Sequence, residues 1–161
     1  MLGAHEYGRA LEPLLRQAGG YAMSLLRNRQ DAEDAVQTAA LRGFERLSSF
    51  DDQRSFKGWW FAILRNCCID GLRRGRRFPT VGLDVEIPDN RPEQPTPDWD
   101  ALDRRLEALS SSHHEIVQLR YFGGLSYADI AETLSIPVGT VMSRLHHARA
   151  ALAANLKENA G

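Results

Sequence analysis

Cys67, Cys68 and the histidine pairs His113-His114 and His146-His147 are the residues best equipped for covalent or metal chemistry, and their spacing suits neither. Adjacent cysteines bridge only under strain, and none of these groups has the CxxC or HxxxH spacing that sets two ligands on one metal. The chain carries no Walker loop, GxSxG elbow or HExxH helix. We therefore expect no enzyme, no catalytic residue, no metal and no cofactor, and read the cysteines as buried structural thiols. Recognition is the chemistry the spacing does support. At 100° per residue, Thr140, Ser143, Arg144 and His147 fall within an arc of about 100° on one helix, and short hydroxyl, guanidinium and imidazole groups so placed reach base edges and phosphates. Gly139, without a side chain, lets the start of that helix approach a nucleic-acid backbone.

The elements that must position this arc are legible around it. Ser126 opens a helix that runs to Leu134, Ser135 and Ile136 form a very short turn, and Pro137 suits the first turn of a longer helix to about Leu156. Val141, Leu145, Ala148 and Leu152 face the other way, against Ile130, Ala131 and Leu134. Upstream, Ser112 stands three residues before Glu115, a capping-box spacing, and Gly123-Gly124 stops the apolar stretch IVQLRYF. Helical signals also span about Tyr7 to Arg27, Gln30 to Ser48 and Phe56 to Arg76, with Asn28 placed to cap the second. No strand-period segment exceeds a few residues, so the expected class is all-α.

Between these halves FPTVGLDVEIPDNRPEQPTPD, residues 78–98, holds five prolines and reads as an extended linker. The predicted division is a domain over 1–77, a Pro-rich acidic linker over 78–100 and a second domain over 101–161. A net charge of −1 conceals segregation: residues 54–77 hold seven bases against Asp70, and residues 84–103 hold seven acids against Arg91. Such a basic stripe is a nucleic-acid footprint that the average hides. No apolar run approaches the roughly 20 residues that span a bilayer, and MLGAHEYGRALEPLL lacks a basic signal-peptide start, so a cytoplasmic protein without membrane insertion is expected.

GLSYADIAETLSIPVGTVMSRLHHARAAL, residues 124–152, resembles the minus-thirty-five-reading helix-turn-helix of extracytoplasmic-function (ECF) sigma factors, the bacterial RNA polymerase subunits that select promoters. The resemblance rests on Gly124-Leu125-Ser126-Tyr127, Ile130-Ala131, Ile136 to Val141, and Ser143-Arg144-Leu145; Met142 and His147 stand where relatives often carry a basic residue. DAEDAVQTAALRGFERLSSFD, residues 31–51, is similar to the helix with which that family docks on polymerase, and SFKGWWFAILRNCCIDGLRRGRR, residues 55–77, to the segment that reads and melts the minus-ten element.

The resemblance implies two small helical domains, region-two-like and region-four-like. It implies minus-thirty-five contacts from Gly139, Thr140, Ser143, Arg144, His147 and Arg149, and minus-ten contacts from Arg54, Phe56, Lys57, Asn66, Arg73, Arg74, Arg76 and Arg77. Asp31, Asp34 and Gln37 fall near the polymerase interface, with Thr38 where an acid is common, and the loop Phe50 to Phe56 holds an extruded base. Melting needs stacking surfaces and cations along the phosphates, not covalent catalysis. The implied partners are core RNA polymerase, promoter DNA and an anti-sigma factor. Two other readings stay open at this level: a helix-turn-helix regulator that acts without polymerase, and a sigma mimic that titrates an anti-sigma factor.

Overall fold

The computed structural model describes residues 1–77 and 109–159; the expected linker and the acidic block lie outside the described residues. Within them every regular element is helical: α1 Ala4–Leu11, α2 Leu15–Leu26, α3 Arg29–Glu45, α4 Phe56–Arg77, α5 Ser111–Val117, α6 Tyr127–Leu134 and α7 Val138–Asn159. Short 3-10 turns cover Glu12–Leu14 and Leu47–Ser49, and a π-helical turn over Gln118–Phe122 prolongs α5.

Local chemistry sets most of these boundaries. Asn28 accepts a hydrogen bond from the Asp31 backbone N–H at 2.9 Å, capping α3 as expected. Ser126 does the same for α6, accepting from the Asp129 N–H at 3.1 Å. Gly124 adopts φ of 63°, the left-handed conformation that reverses the chain after the π turn. The expected first helix instead begins at Ala4 and is broken by the 3-10 turn, because Pro13 has no N–H to continue an α-helical ladder. The expected Ser112 cap is also displaced: Ser110 accepts from the His113 N–H at 3.4 Å, and Ser112 lies inside α5. Between α6 and α7 the chain turns through Ser135 at φ of 54°, and the Ile136 N–H donates to the Ala131 carbonyl at 3.1 Å.

Small residues recurring every three or four positions on α3, namely Ala32, Ala35, Ala39 and Gly43, are all buried and let α3 close against α4. On α4, Trp60, Phe61, Leu64 and Cys68 are fully buried. Trp60 donates from Nε1 to the Tyr7 hydroxyl at 3.2 Å, which donates onward to the Ala40 carbonyl at 2.7 Å. Gly43 makes room for both groups: a Cβ there would meet the Tyr7 hydroxyl and come within 3.0 Å of the indole. The second helical unit buries Ile116, Leu119, Leu125, Ile130, Val141, Leu145 and Ala148. Val141, Leu145 and Ala148 thus lie on the side of α7 that the helical period assigns to the core. The two units share one continuous apolar cluster, with α4 packed along α6 and α2 against the π turn.

Candidate nucleic-acid interface

Asp31, Asp34 and Gln37 sit on consecutive turns of α3 and line a groove of about 540 Å³ whose other wall is α4, through Cys67, Gly71 and Arg74. Arg42 lines it too, donating from Nη1 to Asp70 Oδ2 at 3.3 Å and to Cys67 Sγ at 3.5 Å. Asp34 accepts from the Gln30 side chain at 3.0 Å. Beside these polar groups Leu41 is 67% exposed and Phe44 50%. Leu41, Phe44 and Arg42 were not singled out from sequence, where a helix with apolar residues on several sides gives no cue as to which stay outside.

Burial governs the cysteines. Cys68 is shut away from solvent, which pushes its thiol up to about 12, and Cys67 is also raised by burial, an effect that Arg42 opposes. Neither is poised as a nucleophile.

The residues expected to meet the minus-ten element do not form one patch. Arg54 precedes α4, and the others run the length of that 22-residue helix, about 33 Å. At its start Phe56 belongs to an aromatic cluster, with ring centroids 5.6 Å from Phe50, 5.8 Å from Trp59 and 5.9 Å from Tyr7, so the ring is partly core. Trp59 is half-buried in the same cluster, whereas Trp60 is buried completely. Arg54 pairs with Glu132 at 3.5 Å, and Lys57 donates to the Gly124 carbonyl at 3.0 Å. Asn66 is exposed at mid-helix. Arg73 and Arg74 are exposed near the end, Arg74 on the groove with Asp31 and Asp34. Arg76 and Arg77 close α4, their side chains outside the described set.

In the second unit the residues of the expected arc all lie on α7. Gly139, Ser143 and His147 are exposed, and Thr140 and Arg144 half-buried. The His147 ring lies 6.1 Å from His113 and 5.7 Å from His146. Arg149 stands apart from the arc. Its Nε donates to the Tyr121 hydroxyl at 2.8 Å, and its guanidinium lies 5.9 Å from that ring. Val138 and Met142, both exposed, frame the N-terminal half of the helix. Arg144 and Asn66, expected to address different DNA elements, line the same cleft between α4 and α6.

This arrangement, a groove on one helical pair and a short-turn helix pair with a polar outer arc, coincides with two family descriptions. Residues 10–78 match Sigma-70 region 2, and residues 99–152 match Sigma-70 region 4. The ECF RNA polymerase sigma factor SigL of Mycobacterium tuberculosis is 40% identical over 146 residues, covering 86% of this chain and 81% of the relative. SigW of Bacillus subtilis is 30% identical over 151 residues, covering 83% and 80%. Among solved structures, the sigma factor RpoE from Bartonella quintana, in complex with the anti-sigma factor NepR, superposes with a TM-score of 0.70 at 30% identity, over 96% of this chain and 98% of that one. The chain belongs to the ECF RNA polymerase sigma factors and acts in transcription initiation.

Proposed function

We propose that the α3/α4 groove seats this chain on core RNA polymerase through Asp31, Asp34 and Gln37, that the basic end of α4 with Arg73, Arg74, Arg76 and Arg77 holds the opened minus-ten strand, and that Thr140, Ser143, Arg144 and His147 read the minus-thirty-five element. The domain limits are then 1–77 and 101–161, with 78–100 as the tether. The observation carrying this reading is the pairing of features in one chain: a groove of mixed charge beside the exposed Leu41, suited to a protein partner, and a helix-turn-helix whose outer arc suits DNA. A stand-alone regulator would have no use for the groove. The protein works by binding and strand separation, with no bond made or broken, and in the cytoplasm, where polymerase is. No described helix is long and apolar enough to cross a membrane. Because the Bartonella quintana relative was solved with an anti-sigma factor, an inhibitory partner of that kind is part of the proposal.

In-vitro transcription with core polymerase tests it. Promoter-specific transcripts are expected with the chain and none without it; core alone and core plus chain giving the same products would end the proposal. Arg144→Ala should then lower transcription from a minus-thirty-five-dependent promoter by roughly 5- to 150-fold, the loss of about 1–3 kcal/mol from one base-edge contact. Promoters whose minus-thirty-five element is scrambled should respond little to the substitution, and an equal loss on both templates would remove Arg144 from the reading arc.

A further inference from the structure

The start of α7 carries two large apolar side chains that the fold leaves uncovered. Val138 is 43% exposed and Met142 54%, and neither joins the hydrophobics packed on the core, although Leu134 and Ile136 just before the helix do. They stand one turn apart, at i and i+4, and form a continuous apolar strip along the first five residues of α7. At 100° per residue, Gly139 and Ser143 point most directly away from the buried face of Val141, Leu145 and Ala148. The Val138 and Met142 strip lies about 100° to one side of them, and Thr140 and Arg144 about 100° to the other. The helix start thus has a polar flank and an apolar flank on either side of a crest of small residues.

Nothing inside the molecule asks for that crest. A Cβ on Gly139 would meet no atom within 4 Å, so the glycine clears space outside the protein, not within it. In a helix-turn-helix the N-terminal half of the second helix enters the major groove, and Val138 and Met142 lie in that half. A protein laid on the strip would also cover the helix start that the groove has to receive. The floor of the major groove fits both flanks at once, because it presents donors and acceptors together with one apolar group, the C5-methyl of thymine. The strip has no N–H or O–H for guanine O6 or N7, and the amino group of cytosine or adenine pressed against it would lose water without gaining a partner. Only the methyl group gains by the contact.

We propose that Met142, with Val138 one turn before it, is a thymine-reading element of this chain: the two side chains close over the C5-methyl group of a thymine in the minus-thirty-five element, on the flank opposite Arg144. The proposal rests on the reading of α7 given above and names a base that this helix selects. Met142 suits the task because its unbranched thioether chain adapts to a methyl group without displacing the helix. Val138, stiff at Cβ, backs it from the turn before. The gain is confined to the apolar surface that methyl and side chains hide from water, so loss of that methyl alone should weaken promoter engagement about three- to fourfold.

In the test, holoenzyme assembled from core polymerase and the full chain first selects transcribed templates from a pool randomised over the minus-thirty-five and minus-ten elements. Each thymine of the selected minus-thirty-five element is then replaced by deoxyuridine, which removes the methyl group and keeps the hydrogen-bonding edge. For the wild type, replacement at one thymine should raise the template concentration for half-maximal transcription about three- to fourfold. Met142→Ala combined with Val138→Ala should make thymine and deoxyuridine equivalent at that position and leave discrimination at the other positions in place. Both residues are exposed on a helix and alanine is the best helix former, so the variant keeps its fold, which circular dichroism checks. A selected element without thymine, no thymine that responds to loss of its methyl, a response that survives the double substitution, or a double substitution that flattens discrimination across the whole element overturns the proposal. A wild-type holoenzyme that selects nothing from the pool instead ends the sigma reading, and this proposal with it.

Discussion

Trp60→Ala should lower the stability of the chain by about 3–5 kcal/mol, a fall of roughly 10 °C in the unfolding midpoint. The indole has no solvent-exposed surface and is the largest side chain in the core to be so completely enclosed. Its removal deletes the apolar contacts with Phe61, whose ring centroid lies 5.7 Å away, and leaves a cavity that α3 cannot fill, because Gly43 and the alanine stripe offer no side chain to move into it. It also strips the donor from the Tyr7 hydroxyl, although that group still donates to the Ala40 carbonyl. Trp60→Phe, which keeps most of the volume and loses the N–H, should cost no more than about half as much. Thermal denaturation followed by circular dichroism checks both; a Trp60→Ala protein melting within a degree or two of wild type would mean that the indole is not the keystone of the first unit. Trp59→Ala is a useful contrast, since its half-buried ring sits at the rim with Phe50 and Phe56.

The two tryptophans also show what could and could not be read before the fold was known. The helical period sets Trp60, Ile63, Leu64 and Cys67 on one face of α4, and all four are buried. Asn28 and Ser126 announced their helices because capping is local: the acceptor and the N–H it satisfies are three residues apart, and no other part of the chain decides the matter. Where the local signal was degenerate it failed. Ser110, Ser111 and Ser112 are alike as cap residues, and the structure uses Ser110. The seam where α4 packs along α6 was invisible for a stronger reason. Its hydrogen-bonded pairs Ser55 and Asp129 are 74 positions apart, and Thr133 and Gly58 are 75. Nothing in the spacing of Asp129 and Glu132 on α6 distinguishes a solvated acidic edge from one that closes on a distant helix. Phe56 illustrates the same limit from the other side: as a residue type it suited base stacking, and the fold commits much of its ring to Phe50, Trp59 and Tyr7. The order and character of the helical elements were thus legible from local pattern, and the distribution of surfaces between core, seam and solvent was not.

Reversing Asp31 and Asp34 together to lysine should abolish promoter-specific transcription, through loss of polymerase binding rather than loss of fold. Both carboxylates are exposed on the groove wall of α3, and neither supports the core. Their folding role is small: Asp31 places negative charge in the first turn of a helix, worth about 0.3–1 kcal/mol at an exposed site, and Asp34 accepts one exposed hydrogen bond from Gln30. A protein interface reads the same change far more steeply, since like charges brought face to face on a partner cost several kcal/mol, a hundredfold or more in affinity. The comparison that isolates the groove is Glu33→Lys. Glu33 lies in the same two turns, carries the same charge and pairs with Arg29 at 3.2 Å, yet it does not line the groove. Glu33→Lys should therefore cost a similar small increment of stability per residue and leave transcription near wild type. Co-elution of each variant with core polymerase on a sizing column, beside thermal melts, separates the two effects. If Glu33→Lys and the Asp31/Asp34 pair weaken the complex alike, the interaction is a diffuse response to charge on α3, and the groove between α3 and α4 is not the docking site.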